Sequence, residues 1–80
     1  MGSIQRELGK KVRELRARQG LTQEDLAARA QMDFKYVSSV EAGRSNITLR
    51  NLERIAGALG VPPHRLLQRT NEPPSRNNAQ

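Results

Sequence analysis

Apolar positions recur along the chain with the spacing of helices, and strand-like alternation is nowhere found. Ile4, Leu8, Val12 and Leu15 fall at i, i+4, i+8 and i+11, which is one face of a helix of period 3.6. Ser3 is placed to cap that helix, and Gly20 to end it, so the first element is predicted from Ile4 to about Gln19. Thr22 opens a second helix. Asp25, three residues on, stands where a capping box places its acid, and Leu26, Ala27 and Ala30 form the inner face. This helix is predicted to stop near Ala30. Asp33 caps a third, from Phe34 to about Ala42, with Val37 and Val40 inward and Gly43 past its end.

A polar loop around Arg44, Ser45 and Asn46 leads to Thr48, the cap of a fourth helix. Leu49, Leu52, Ile55, Ala56 and Leu59 lie on its stripe, and Gly60 ends it. Gly57, inside the helix, costs about 1 kcal/mol relative to alanine; it marks either a close contact or an exposed site. Pro62-Pro63 starts a short fifth helix, Pro63 to about Gln68, since proline is tolerated at the first helical position. Leu66 and Leu67 can pack from it, and His64 decorates or caps it. The prediction is all-α: five short helices around one core, in residues 4–69. Residues 1–3 read as a cloning remnant or an N-terminal arm. From Thr70 the segment "TNEPPSRNNAQ" has no large apolar residue and is expected to be a disordered tail.

Two helix starts, Thr22 and Asp33, lie only eleven residues apart. A helix pair joined by so tight a turn, its second member polar outward, has the helix-turn-helix arrangement. The DNA major groove admits one α-helix, whose N-terminal side chains reach base edges. Phe34, Lys35, Ser38 and Ser39 are therefore the candidate base readers. Phe34 has two readings, the edge of the core or a thymine methyl contact. Tyr36 likewise stands between a packed residue and a phosphate contact.

Charge sharpens the picture. The chain of 80 residues carries 14 Lys and Arg against 8 Asp and Glu, for a net +6. Residues 1–20 carry +4, residues 21–43 carry −2 and residues 44–80 carry +4. Phosphate contacts supply affinity and can come from flanking elements, while base readers need not be cationic. Gln23 at the start of the second helix is one such flanking candidate. Arg44, Ser45, Asn46, Thr48 and Arg50, clustered after the third helix, are the others. Arg54, four residues beyond Arg50, reads as surface.

The chain has no cysteine, which excludes disulfides and thiolate metal sites. It has one histidine, no phosphate-binding glycine loop and no metal-ligand spacing, so no enzyme, cofactor or metal is expected. No apolar run reaches 18 residues, and the expected location is cytoplasmic, without membrane contact.

The stretch "RELRARQGLTQEDLAARA", followed by "YVSSVEAGRSNITLRNLERIAGALGV", resembles the lambda-repressor-like, or XRE-type, helix-turn-helix proteins. The likeness runs from about Val12 to Leu67. It rests on an "LTQEDLA" helix, an "ExG" closing the third helix, and a fourth helix of the form "TLxxLxxIAxALGV". It implies that Gln23 contacts phosphate and supports the recognition helix. It also places Phe34, Lys35 and Ser39 at base-reading positions, and Arg44, Asn46 and Thr48 in a backbone-contacting loop. Arg16 and Glu41 match a salt-bridge pair between the first helix and the end of the third.

Within that family the chain is similar to single-domain controller proteins of restriction–modification systems and to small phage-type repressors. These act as homodimers on pseudo-palindromic operators, which implies a dimer interface including Leu59, Val61, Leu66 and Leu67. Controller-type recognition helices often begin with a basic residue, where this chain has Phe34, and that leaves the operator sequence open. An antitoxin that binds a toxin and regulates its own operon is the alternative reading. Activation by touching RNA polymerase through Glu24 and Asp25 is a third reading, compatible with DNA binding.

Overall fold

Each of the first four helices ends on a residue of positive φ, and that repeated stop sets the architecture. In the computed structural model, residues 3–68 are described, and among them lie five helices and no strand: α1 (Ile4–Arg18), α2 (Gln23–Ala30), α3 (Phe34–Glu41), α4 (Leu49–Leu59) and α5 (Pro63–Leu66). The left-handed residues are Gly20, Gln31, Gly43 and Gly60, with φ of 71°, 57°, 77° and 73°. After each, the next amide reaches back five residues. Leu21 N–H donates to Arg16 O (3.1 Å), Met32 to Ala27 O (2.8 Å), Arg44 to Ser39 O (3.0 Å) and Val61 to Ala56 O (3.0 Å). These are Schellman endings, which satisfy the last carbonyls and turn the chain sharply.

Gln31 is the ending that glycine counting does not reveal. A side chain at positive φ is uncommon, and here a cation from another helix supports it. One guanidinium nitrogen of Arg54 on α4 donates to Gln31 O at 2.6 Å. The positive charge also meets the negative end of the α2 dipole. Arg54 thus ties α4 to the turn between α2 and α3, a role beyond the surface position expected of it.

The helix starts follow the caps in the sequence. Thr22 and Asp25 complete a reciprocal capping box: Asp25 N–H donates to Thr22 Oγ1 (3.0 Å), and Thr22 N–H donates to Asp25 Oδ2 (2.9 Å). Asp33 accepts from Lys35 N–H (2.7 Å), Thr48 from Asn51 N–H (3.1 Å) and Ser3 from Arg6 N–H (3.1 Å). Each satisfies one donor that the first turn leaves without an intrahelical partner.

All five helices contribute to one core. Leu8, Val12 and Leu15 come from α1, Leu26 and Ala27 from α2, and Val37 and Val40 from α3. Leu52, Ile55, Ala56 and Leu59 come from α4, with Leu66 from α5. No pair of helices encloses this core alone, which is why helices of eight residues persist. Two predicted core positions lie outside it. Ile4 and Leu49 are exposed, each the first residue of its helix and one turn before the first buried leucine. The apolar stripe runs on past the layer where the helices meet. Gly57 has no atom within 4 Å of where a Cβ would stand, so it is the exposed site of its two readings.

Gly9 is the opposite case. A Cβ there would lie 2.6 Å from Glu41 O and 2.9 Å from Glu41 C, and nearer still to Val40 O. The backbone of α1 therefore rests directly on the last turn of α3. This close approach fixes the angle at which α3 leaves the globule. The expected tail, residues 70–80, and Met1-Gly2 of the N-terminal segment lie outside the described residues.

Candidate nucleic-acid interface

Only one side of α3 is committed to the core. Val37, Val40 and Glu41 are buried, Phe34 and Lys35 are exposed, and Ser38 and Ser39 are half-buried. Phe34 is thus not a core residue. Tyr36 packs partly against the core, as the plainer of its readings held, yet its phenol oxygen has a fixed partner. Asn51 Nδ2 on α4 donates to it at 3.2 Å. An oxygen already accepting keeps its own proton free to donate. Ser39 is in the same situation, because Ser45 Oγ donates to its hydroxyl at 2.7 Å.

Glu41 organises the other end of the helix. Its carboxylate side chain is 1% exposed. Arg16 Nε donates to Oε2 at 2.6 Å and Arg16 Nη2 to Oε1 at 3.0 Å, a bidentate pairing of planar groups. Arg16 Nη1 donates to Leu21 O at 2.8 Å, so one guanidinium joins α1, the α1–α2 turn and α3. The hydrogen bond it donates to Glu41 holds the Arg16 guanidinium even more firmly protonated than usual, with burial opposing and charge attraction adding. Gln23 Nε2 donates to Glu41 Oε1 at 3.0 Å, which ties the start of α2 to the end of α3. The carboxylate admits only the NH₂ side of that amide, and the second N–H of Gln23 remains to donate elsewhere.

The residues after α3 form a polar rim. Arg44 and Arg50 are exposed, and Thr48 is committed as the α4 cap through its oxygen while keeping its hydroxyl proton. Asn46 Oδ1 accepts from Gln5 Nε2 on α1, which fastens the loop to the first helix. Asp25 is tied into the capping box; the backbone and then the hydroxyl of Thr22 hold its carboxyl below the usual carboxylate range. Glu24 beside it is exposed.

The expected dimer residues divide. Leu59 and Leu66 are 3% and 1% exposed within the chain. They fill its own core, because the left-handed turn at Gly60 folds α5 back onto α4, and neither is presented to a partner. Val61 is half-buried and Leu67 exposed.

A tight α2–α3 turn, a buried inner face on α3 and a free outer one make a helix-turn-helix in three dimensions, and residues 12–66 match the family described as helix-turn-helix. The chain belongs to the lambda-repressor-like helix-turn-helix family. It is 46% identical over 56 residues to a hypothetical transcription factor of Neisseria meningitidis, covering 70% of this chain but 53% of that protein. The chain thus spans about half the length of that relative. It is 41% identical over 63 residues to the control protein C.BamHI of Bacillus amyloliquefaciens, covering 78% of each. The solved structure of the restriction-modification controller protein C.Esp1396I, a tetramer in complex with its natural 35 base-pair operator, superposes with a TM-score of 0.75 at 29% identity. That match covers 82% of this chain and 87% of the other.

Three side chains that complete this helix-turn-helix escaped the sequence reading: Gln5, which holds Asn46; Asn51, which holds Tyr36; and Arg13, which approaches Glu41. Their partners lie 15 to 41 residues away in the chain for Asn51 and Gln5, beyond the reach of local pattern. Among the described residues no helix is long and apolar enough to cross a membrane, and no group of His, Cys, Asp and Glu could hold a metal ion.

Proposed function

We propose that the protein is a sequence-specific double-stranded DNA-binding transcription regulator that acts as a homodimer, with α3 in the major groove. The single observation that carries this is the division of α3: Val37 and Val40 lie in the core while Phe34 and Lys35 at its N-terminal end stand exposed. An eight-residue helix anchored on one side and polar on the other has the form that the groove accepts. The structure of C.Esp1396I in complex with its natural operator supports the same reading.

In this reading Lys35, Phe34, Ser38 and Ser39 meet base edges. Lys35 donates to guanine O6 and N7, and Phe34 takes a thymine methyl. Ser39, its oxygen engaged by Ser45, presents its proton to base acceptors. Gln23, Tyr36, Arg44, Asn46, Thr48 and Arg50 address the backbone, and Gln23 and Tyr36 are each pinned so that a donor faces outward. Ser45, expected beside them, gives its one hydroxyl proton to Ser39 and so acts by orienting that residue rather than as a donor to phosphate. Phosphate oxygens only accept, so outward donors are what they require. Val61 and Leu67 are the residues of the expected dimer face that remain accessible. Two-fold symmetry would then set the recognition helices about 34 Å apart, one turn of DNA.

Selecting bound duplexes from a random pool tests the reading directly: a two-fold symmetric consensus is expected, and an enriched pool with no consensus would refute sequence specificity. On the selected duplex, Lys35→Ala is expected to lose about 1–3 kcal/mol of discrimination at one position of each half-site. Equal weakening on cognate and point-mutated duplexes would make Lys35 a phosphate contact instead. Arg44→Ala should weaken all duplexes alike and reduce the slope of log K against log salt by about 1. An unchanged slope would remove Arg44 from the clamp.

A further inference from the structure

Arg13 on α1 belongs to none of the roles above, yet it stands at their junction. Its Nε lies 4.0 Å from Glu41 Oε1, the same oxygen that accepts from Gln23 Nε2 and Arg16 Nη2 at 3.0 Å. Gln23 and Arg13 therefore converge on one atom from two helices. The geometry of Arg13 is not that of a salt bridge with work left to do for the fold. Arg16 holds both carboxylate oxygens at hydrogen-bond distance, and its single positive charge already balances the single negative charge of Glu41. Two cations against one carboxylate leave a surplus of one positive charge, and it resides on Arg13, whose side chain is 67% exposed.

The surroundings reinforce the surplus. Arg6, Lys10 and Arg13 fall at i, i+4 and i+7, one exposed stripe of α1. Arg6 passes over Gly43, at the end of α3. Glu14, the acid nearest Arg13 in sequence, turns to Lys11 at 3.8 Å. At the same point Gln23 keeps one amide N–H unengaged by Glu41. A free amide donor and an unbalanced guanidinium, held on a common buried base, suit a group that accepts hydrogen bonds and carries one negative charge. A phosphodiester has both properties.

We propose that Arg13 and Gln23 together form the seat of one DNA backbone phosphate, with Glu41 as its buried floor. The seat rests on the DNA-binding reading, and it adds α1 to the surfaces that touch the duplex. It extends the clamp beyond α2 and the α3–α4 loop, and it explains why the basic charge of residues 1–20 lies beside an acidic helix-turn-helix segment.

The test is a salt titration of the full chain on the duplex selected from a random pool and on an unrelated duplex of equal length. Arg13→Ala is expected to weaken both by the same factor, roughly tenfold, and to reduce the salt slope by about 0.9. Arg13→Lys should keep most of the slope, and Arg13→Gln, which keeps a polar side chain without the charge, should lose it as alanine does. Combining Arg13→Ala with Gln23→Ala should weaken binding by less than the product of the two single losses, because they share one phosphate. Losses that multiply would overturn the shared seat, and an Arg13→Ala slope equal to that of the parent would overturn the contact. Arg29→Ala removes the same charge from the far end of α2; an equal fall there would reduce the effect to net charge and overturn the seat. If the unsubstituted protein binds neither duplex, the DNA-binding reading itself has failed, an outcome separate from all of these.

Discussion

Arg16→Ala is expected to cost about 3–5 kcal/mol of stability, the cost of leaving a buried carboxylate without its partner. Glu41 is 1% exposed and Arg16 supplies two of its hydrogen bonds, at 2.6 and 3.0 Å. Arg16 also donates to Leu21 O, so the substitution frees the α1–α2 turn as well. A domain of this size has roughly 0.05–0.15 kcal/mol per residue of net stability, or about 3–10 kcal/mol over the 66 residues from 3 to 68. The substitution therefore removes about a third or more of the net stability, and the variant is expected to melt at least about 10 °C below the parent by circular dichroism. A second experiment separates the buried charge from the lost contacts. Replacing both partners, Arg16→Met with Glu41→Leu, removes the unpaired charge and should regain most of the melting temperature. A single Arg16→Ala variant that melts within a few degrees of the parent would show that the pair does not hold the fold.

Gly9→Ala and Gly57→Ala are expected to have opposite signs, although both are glycine-to-alanine changes inside helices. At each, alanine gains about 1 kcal/mol of helix propensity. At Gly57 nothing opposes that gain, since no atom lies within 4 Å of the new Cβ. The melting temperature should rise by about 4–8 °C. At Gly9 the new Cβ meets the backbone of Val40 and Glu41, and backbone in a helix cannot rotate aside as a side chain can. Overpacking of this kind costs about 1–3 kcal/mol, and more when main chain must move. A net loss of about 2–3 kcal/mol is expected after the propensity gain, with a fall of about 8–24 °C in melting temperature. DNA affinity should suffer too, because relief of the clash tilts α3 away from α1. A Gly9→Ala protein as stable as the parent would mean that the two helices do not touch as closely as they do here.

Local chemistry was legible because it is written within a few residues. Thr22 and Asp25 are three apart, so their reciprocal capping box could be read directly, as could the stops at Gly20, Gly43 and Gly60. The end of α2 near Ala30 was placed as well, but not its form, since Gln31 takes positive φ there with support from Arg54, 23 residues on. The same limit governs the candidate site. Phe34, Lys35, Ser38 and Ser39 follow from their register on α3, and Gln23 from its place after a cap. The bonds that give them direction come from elsewhere: Ser45 on Ser39, Asn51 on Tyr36, Glu41 on Gln23.

Periodicity overreached where it had no knowledge of neighbours. Ile4 and Leu49 share a stripe with buried residues and are exposed. For Leu59 and Leu66 the apolar pattern was the better guide: they are buried in their own chain, and it was the family likeness that put them at a dimer face. By itself, then, the sequence determined where helices start and stop, which face of each is apolar, and which helix carries a polar outer face, because caps, stops and a 3.6-residue period act over short stretches of chain. Tertiary structure alone decided how far each apolar stripe is covered, how α1 closes on α3 at Gly9, and which polar atoms face outward. Those outcomes depend on which residues, distant in the chain, are packed side by side.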